Sequence, residues 1–117
     1  MTAIEVALLG ATIGCVIANG FEVVAKATRA QFVVRNCAEV GVDRKWIPYL
    51  AVIEGAGVVG LMLGLAGVPI IGAAAALGLV AFFIGAMAVH IRARVLHNLA
   101  FPAGFLLLAA ASVPYFA

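Results

Sequence analysis

Four residues carry chemistry inside stretches that are otherwise apolar: Asn19, Glu22, Glu54 and His90. Lys26 and Arg92 flank them at the edges of the same stretches. Stranding a carboxylate in hydrocarbon costs about 3 kcal/mol or more, so Glu22 and Glu54 must face protein or a polar cavity. Besides a surface used mainly by a partner protein, two arrangements of these groups are open. One is a structural clasp, in which Glu22 and Lys26 pair across one helical turn and Asn19 and Glu54 join two helices. The other is a pocket for an amphipathic ligand, a lipid headgroup or a quinone, with His90 and a carboxylate exchanging protons with the quinone.

Other chemistries find no support. The chain has two histidines, and on a helix His90 and His97 share one face, so they cannot clamp a haem from opposite sides. His90, His97 and Glu54 lack the spacing of zinc ligands, and no metal site is expected. No nucleophile-base pair, phosphate loop or dinucleotide fingerprint is present, so no residue is expected to be catalytic and no activity of the chain on its own is expected. Cys15 and Cys37 form no CxxC pair and read as buried or interfacial thiols.

The elements that position these groups follow from composition. The chain has 117 residues, 67% hydrophobic and 10% charged, with a mean hydropathy of +1.25. A soluble domain of this size could not bury so much apolar surface, and lipid must solvate much of it. One all-α integral membrane domain is expected: a bundle of four transmembrane helices over about residues 4–24, 47–65, 70–91 and 99–116. The first segment lacks a basic leader and is longer than a signal-peptide core, so it is expected to be a retained span.

Along the first span, Thr12, Cys15, Asn19, Glu22 and Lys26 recur every three or four residues, which places all five on one helical face. Between the first two spans, Phe32, Val33, Cys37 and Val40 make an apolar face. A surface helix over about residues 30–40, capped by Gly41, is expected there, with a loop or a continuation of the first helix as alternatives. Trp46 and Tyr49 fall at belt level, and Pro69 opens the third span.

All seven Lys and Arg residues (Lys26, Arg29, Arg35, Arg44, Lys45, Arg92, Arg94) belong to the first and third connections. The positive-inside rule puts residues 26–45 and 92–98 in the cytoplasm and both termini on the non-cytoplasmic side of a bacterial inner membrane. The basic loops suit anionic lipid rather than nucleic acid. At about 1.5 Å per residue, Asn19, Glu22, Glu54 and His90 all fall in the cytoplasmic half of the bilayer. Glycines offer packing faces: Gly10 and Gly14 on the first span, Gly57, Gly60 and Gly64 on the second, Gly78 and Gly85 on the third. Some of these faces suit another chain, either a further membrane subunit or a second copy.

At Glu54 a family likeness emerges. The stretch LAVIEGAGVVGLMLGL resembles the second-helix signature of DoxX-like membrane proteins, a glycine-rich helix with one glutamate near its start. GLVAFFIGAMAVHIRAR resembles their third helix, with Ala86, His90 and Arg92 standing for its closing pattern, and ANGFEVVAK resembles a region where a glycine (Gly20) precedes a lysine (Lys26). The resemblance implies a four-helix bacterial membrane protein. It also implies a link to thiosulfate:quinone oxidoreductase or to oxidative-stress complexes, with Glu54, His90 and Arg92 as the matching residues. The leading expectation is a small accessory subunit of an inner-membrane complex that requires no cofactor but would suit a quinone or lipid. The alternative is a membrane subunit of a quinone-linked oxidoreductase.

Overall fold

A computed structural model describes residues 1–117. The chain forms five α-helices and no strands: α1 (Ala3–Ala27), α2 (Gln31–Glu39), α3 (Ile47–Leu65), α4 (Pro69–Arg92) and α5 (Ala100–Phe116), with a 3₁₀ turn at Arg44–Trp46 before α3. α1 opens on a capping box: the Thr2 hydroxyl accepts from the Glu5 amide at 3.1 Å, and the Glu5 carboxylate accepts from the Thr2 amide at 3.4 Å. The Asp43 carboxylate accepts from the Lys45 amide at 2.9 Å and starts the 3₁₀ turn. Pro48 and Pro69 stand in the first turns of α3 and α4, where a missing amide hydrogen costs nothing.

Four helices end in the same way. A residue with positive φ reverses the chain after α1 (Arg29, φ 52°), α2 (Gly41, φ 79°), α3 (Gly67, φ 121°) and α4 (Arg94, φ 58°). In each, an amide just beyond the helix reaches back to a carbonyl of the last turn, as Val42 N does to Cys37 O at 2.8 Å and Val95 N to His90 O at 2.9 Å. Two of these left-handed positions are held by arginine, at a steric cost that glycine avoids, but with a cation placed at the negative end of its helix.

The four long helices form a ring in which α1 packs on α3 and α5, and α4 packs on the same two. Neighbours run antiparallel. Gly57 meets Leu79, Gly60 meets Ala75 and Gly64 meets Gly72 across α3 and α4, while Phe83 meets Phe105 and Gly72 meets Phe116 across α4 and α5. The central core is Cys15, Leu61, Ala76, Leu79, Phe83 and Ala109. The expected stripe on α1 faces this interior: Thr12, Cys15 and Asn19 are fully buried. The outer surface is aliphatic, with Ile17, Val52, Ile70 and Leu107 each more than two-thirds exposed. The molecule measures 43 Å along its long axis, close to the roughly 40–45 Å of a bilayer with its headgroups. α1, α4 and the segment Arg44–Leu65 are long and apolar enough to cross a membrane, and α5 is a shorter apolar helix of 17 residues.

The glycines divide. A Cβ at Gly57, Gly60 or Gly64 would stand 2.5–2.7 Å from a neighbouring carbon, so α3 and α4 touch only because those side chains are missing. Gly72, unmarked in the sequence, belongs with them. Gly10, Gly78 and Gly85 meet no other helix of this chain: nothing lies within 4 Å of where their Cβ would be, and Gly14 has only Leu108 at an ordinary 3.8 Å. A spacing of four marks a face but not which way it points.

The segment after α1 is a separate surface helix. α2 lies across the end of the bundle that carries the basic residues, with Val33 buried against Ala25 and Ile47.

Candidate functional site

The polar residues of α1 are held by the helix itself. Asn19 Nδ2 donates to Cys15 O at 2.8 Å and approaches Cys15 Sγ at 3.3 Å. It does not reach Glu54, so the inter-helix bond expected between them is absent. Lys26 supplies the link between α1 and α3. Its Nζ lies 3.1 Å from Glu22 Oε2 on the same helix and 2.8 Å from Glu54 Oε1 on α3. Glu54 has no solvent exposure. The Lys26 ammonium is the one donor beside its carboxylate, at Oε1, and Oε2 has no partner. Two carboxylates therefore share one ammonium at the junction of α1 and α3.

Beyond Lys26 lies a cavity of about 690 Å³, bounded by the ends of α1 and α4, the start of α5 and, as a roof, α2. Six phenylalanines line it: Phe21, Phe32, Phe82, Phe83, Phe101 and Phe105. Phe83 and Phe105 stack at 5.2 Å, and Phe82 meets Phe83 edge-on at 5.0 Å. Glu22, Lys26, Asn36, His90 and Asn98 bring polar atoms to the same wall, a mostly apolar lining with a few convergent polar groups, as in small-molecule sites generally.

His90 is 5% exposed, and its Nδ1 lies 2.7 Å from Ala86 O one turn back, which leaves Nε2 buried and unpartnered. Two side-chain contacts tie the roof to the α4–α5 connection. Asn98 Nδ2 donates to Asn36 Oδ1 at 2.8 Å, and His97 Nε2 lies 2.9 Å from Glu39 Oε2 at the solvent edge. Cys37 also lines the cavity and is half-buried, and burial pushes its thiol above the ordinary range.

Of the residues singled out in the sequence, Glu22, Lys26 and His90 meet at the cavity. Asn19 and Glu54 sit behind it in the bundle, and Glu54 touches it only through Lys26. Arg92 is exposed and does not line the cavity, which corrects its place in the site that the resemblance suggested. Asn36, Glu39, His97 and Asn98 were missed as site residues. Asn36 and Asn98 are 62 positions apart, and no spacing in the sequence pairs them. The phenylalanines left a faint signal: Phe82, Phe83, Phe101 and Phe105 cluster around one connection.

An all-helical chain with three apolar helices of spanning length and an aliphatic exterior is a small integral membrane protein. The sequence model of the DoxX-like family matches residues 10–112, and the chain belongs to that family. No curated protein and no solved structure matches it.

Proposed function

We propose that this protein is a small accessory subunit of a bacterial inner-membrane complex that holds an amphipathic molecule, a lipid or a quinone, in the cavity beneath α2. The observation that carries the reading is the cavity itself: about 690 Å³, aromatic-walled, with charged and amide groups gathered at one end. That volume suits a ring with part of an acyl or isoprenoid tail. α5 is taken as a fourth span, since 17 residues reach about 25 Å at 1.5 Å per residue. All seven Lys and Arg side chains lie at the α2 end of the ring, which supports a cytoplasmic site and both termini outside. A shallow outer groove over Gly57, Gly60 and Gly78, between α3 and α4, gives a helix from another subunit or a second copy a place to approach closely.

Native mass spectrometry of the protein extracted with its lipids tests both parts. A bound small molecule together with a co-purifying membrane subunit is expected. Free monomer with nothing bound, and Cys37 alkylation unchanged by added lipid extract, would overturn the reading.

A second reading, a quinone-linked oxidoreductase subunit, is favoured by His90, which lines the cavity and keeps one buried ring nitrogen unpartnered. It predicts that His90→Ala abolishes quinone-dependent turnover while the protein still inserts. Glu54 would take part only through Lys26, so Glu54→Gln should have the smaller effect.

A further inference from the structure

The mouth of the cavity is framed by aromatic rings that also face outward. Phe21 on α1, Phe32 on α2 and Phe101 on α5 line the cavity, yet they are 63%, 43% and 70% exposed. Phe21 and Phe32 stack at 6.3 Å and tie the α1 side of the rim to the roof. Phe21 stands about 9 Å from the end of α1 at 1.5 Å per residue, and Phe101 lies in the first turn of α5. The opening therefore looks sideways, at the depth where acyl chains meet headgroups, and a lipid tail can enter it from the bilayer.

Along the roof, Phe32, Arg35, Asn36 and Glu39 recur at helical spacing and all line the cavity. Two of them offer donors that nothing in the protein uses. Arg35 is exposed and has no carboxylate at ion-pair distance: Lys26 serves Glu22 and Glu54, and Glu39, one turn on from Arg35, is turned to His97 at 2.9 Å. Asn36 accepts from Asn98 through Oδ1, while its Nδ2 makes no hydrogen bond and is not sealed from the cavity. The deeper wall carries the opposite sign, since Glu22 and Glu54 share the one ammonium of Lys26. An anionic head is therefore held at the rim and kept from the interior. At long range the whole end attracts it: seven Lys and Arg stand there against Glu22, Glu39, Asp43 and Glu54, a net charge of +3.

We propose that the cavity takes a single-chain amphiphile with an oxyanion head, a carboxylate or a phosphate, an inference that rests on the reading of the cavity as a ligand site and narrows its occupant. The head oxygens accept from the Arg35 guanidinium and Asn36 Nδ2 at the mouth, and the tail lies among the phenylalanines. Arginine presents a planar fork of donors that two oxygens of such a head match. A quinone or an ester brings only neutral carbonyls, which leave the guanidinium charge unmatched.

A palmitate analogue with a photoreactive diazirine in mid-chain, and its methyl ester, separate the cases. Each is added at equal mole fraction to nanodiscs of zwitterionic lipid holding the full chain, in buffer alkaline enough to ionise the acid. After illumination, mass spectrometry compares adducts on the cavity wall, at Phe83, Ala86 and Phe105, with adducts on the outer face around Ile17 and Leu107. The outer face reports ordinary bilayer contact and normalises the two probes. The acid is expected to mark the wall about fivefold more than the ester, as one exposed ion pair and an amide hydrogen bond would give. Arg35→Gln should bring that ratio close to one, and Arg35→Lys, which keeps the charge without the fork, should keep part of it. Unlabelled oleate or lysophosphatidate should displace the acid, the better competitor telling a carboxylate from a phosphate head, and methyl oleate should not. Equal wall labelling by acid and ester, equal displacement by methyl oleate, or an unchanged ratio in Arg35→Gln overturns the anionic head and leaves the cavity reading standing. Wall labelling by neither probe above the outer face overturns both.

Discussion

Lys26 is the one cation between two carboxylates, and the perturbation that tests its role is Lys26→Met. At the 2.8 Å separation from Glu54 Oε1, the Coulomb attraction is about 6 kcal/mol for an effective dielectric constant near 20. Much of that is offset by removing both ions from water, so the pair contributes little net stability over neutral residues of similar volume. Breaking it from one side is another matter. Met at position 26 leaves Glu54, with no solvent exposure and no hydrogen-bond donor, as an uncompensated buried charge, at a cost of about 3–5 kcal/mol. The opposite single change is milder. In Glu54→Gln, Lys26 keeps Glu22 at 3.1 Å and the open side of the cavity, so a loss of about 1 kcal/mol is expected. The double variant should then resemble Glu54→Gln alone, giving a coupling energy as large as the Lys26→Met loss itself, about 3–5 kcal/mol. Reversible unfolding in mixed micelles or by steric trapping in nanodiscs measures all four corners of the cycle. A Lys26→Met variant that loses under 0.5 kcal/mol, or one that Glu54→Gln does not rescue, would refute the account of Lys26 as the neutralising cation.

Gly64→Ala would set a Cβ 2.5 Å from Gly72 Cα and 2.7 Å from Phe116, forcing the α3 and α4 backbones apart by about 1 Å. It should lose about 1–3 kcal/mol, whereas Gly78→Ala, with nothing within 4 Å, should be neutral or gain up to about 1 kcal/mol in the same unfolding assay. The raised Cys37 thiol should alkylate more slowly than the same thiol in the unfolded chain, with a pH–rate profile displaced to alkaline pH. The sign for stability follows. The fold favours the protonated thiol, so the contribution is complete below the unfolded thiol value and is lost as pH rises through the folded one, which a denaturation series across the alkaline range should show. Asn98→Ala removes the buried tie that holds α2 to the α4–α5 connection and should speed maleimide modification of Cys37 several-fold, while fully buried Cys15 stays unmodified. His97→Ala, which breaks only the solvent-edge contact to Glu39, should do so much less.

What could be seen in the sequence was whatever one helix determines by itself. The long apolar runs coincide with α1, α3, α4 and α5, because a helix satisfies its own backbone hydrogen bonds and so suits a run that has no polar surroundings to turn to. The inward face of α1 was visible because Thr12, Cys15 and Asn19 repeat at helical spacing. Glu54 had to face the bundle on cost alone. Which partner it would meet could not be read. Asn19, Lys26 and His90 all lie near its depth, and rise along a helix says nothing about rotation around the bundle axis. The same blindness put Gly10, Gly78 and Gly85 in one class with Gly57, Gly60 and Gly64. It also hid the contacts of Asn36 with Asn98 and Glu39 with His97, which exist only once α2 has folded back over the end of the ring.

The cavity and the glycine contacts have one origin, the change in side-chain size along α4. Its first half offers Gly72, Ala75 and Ala76 to the interior, and there α3 closes on it through Gly57, Gly60 and Gly64, with Phe116 laid over the seam. Its second half offers Phe82, Phe83 and His90, which hold their neighbours at ring distance. Helices pinned together at one end and propped apart at the other enclose a widening space, and that space opens toward the basic end. The core clusters there give way to polar groups: Glu22 and Lys26 from α1, His90 from α4 and Asn98 beyond it. A bundle of this size left open at that point would expose its phenylalanines to the headgroup region. α2, anchored by Val33 on Ala25 and Ile47 and tied by Asn36 to Asn98, covers them. The surface helix is therefore not a decorated loop. It completes an interior that the four long helices cannot close by themselves.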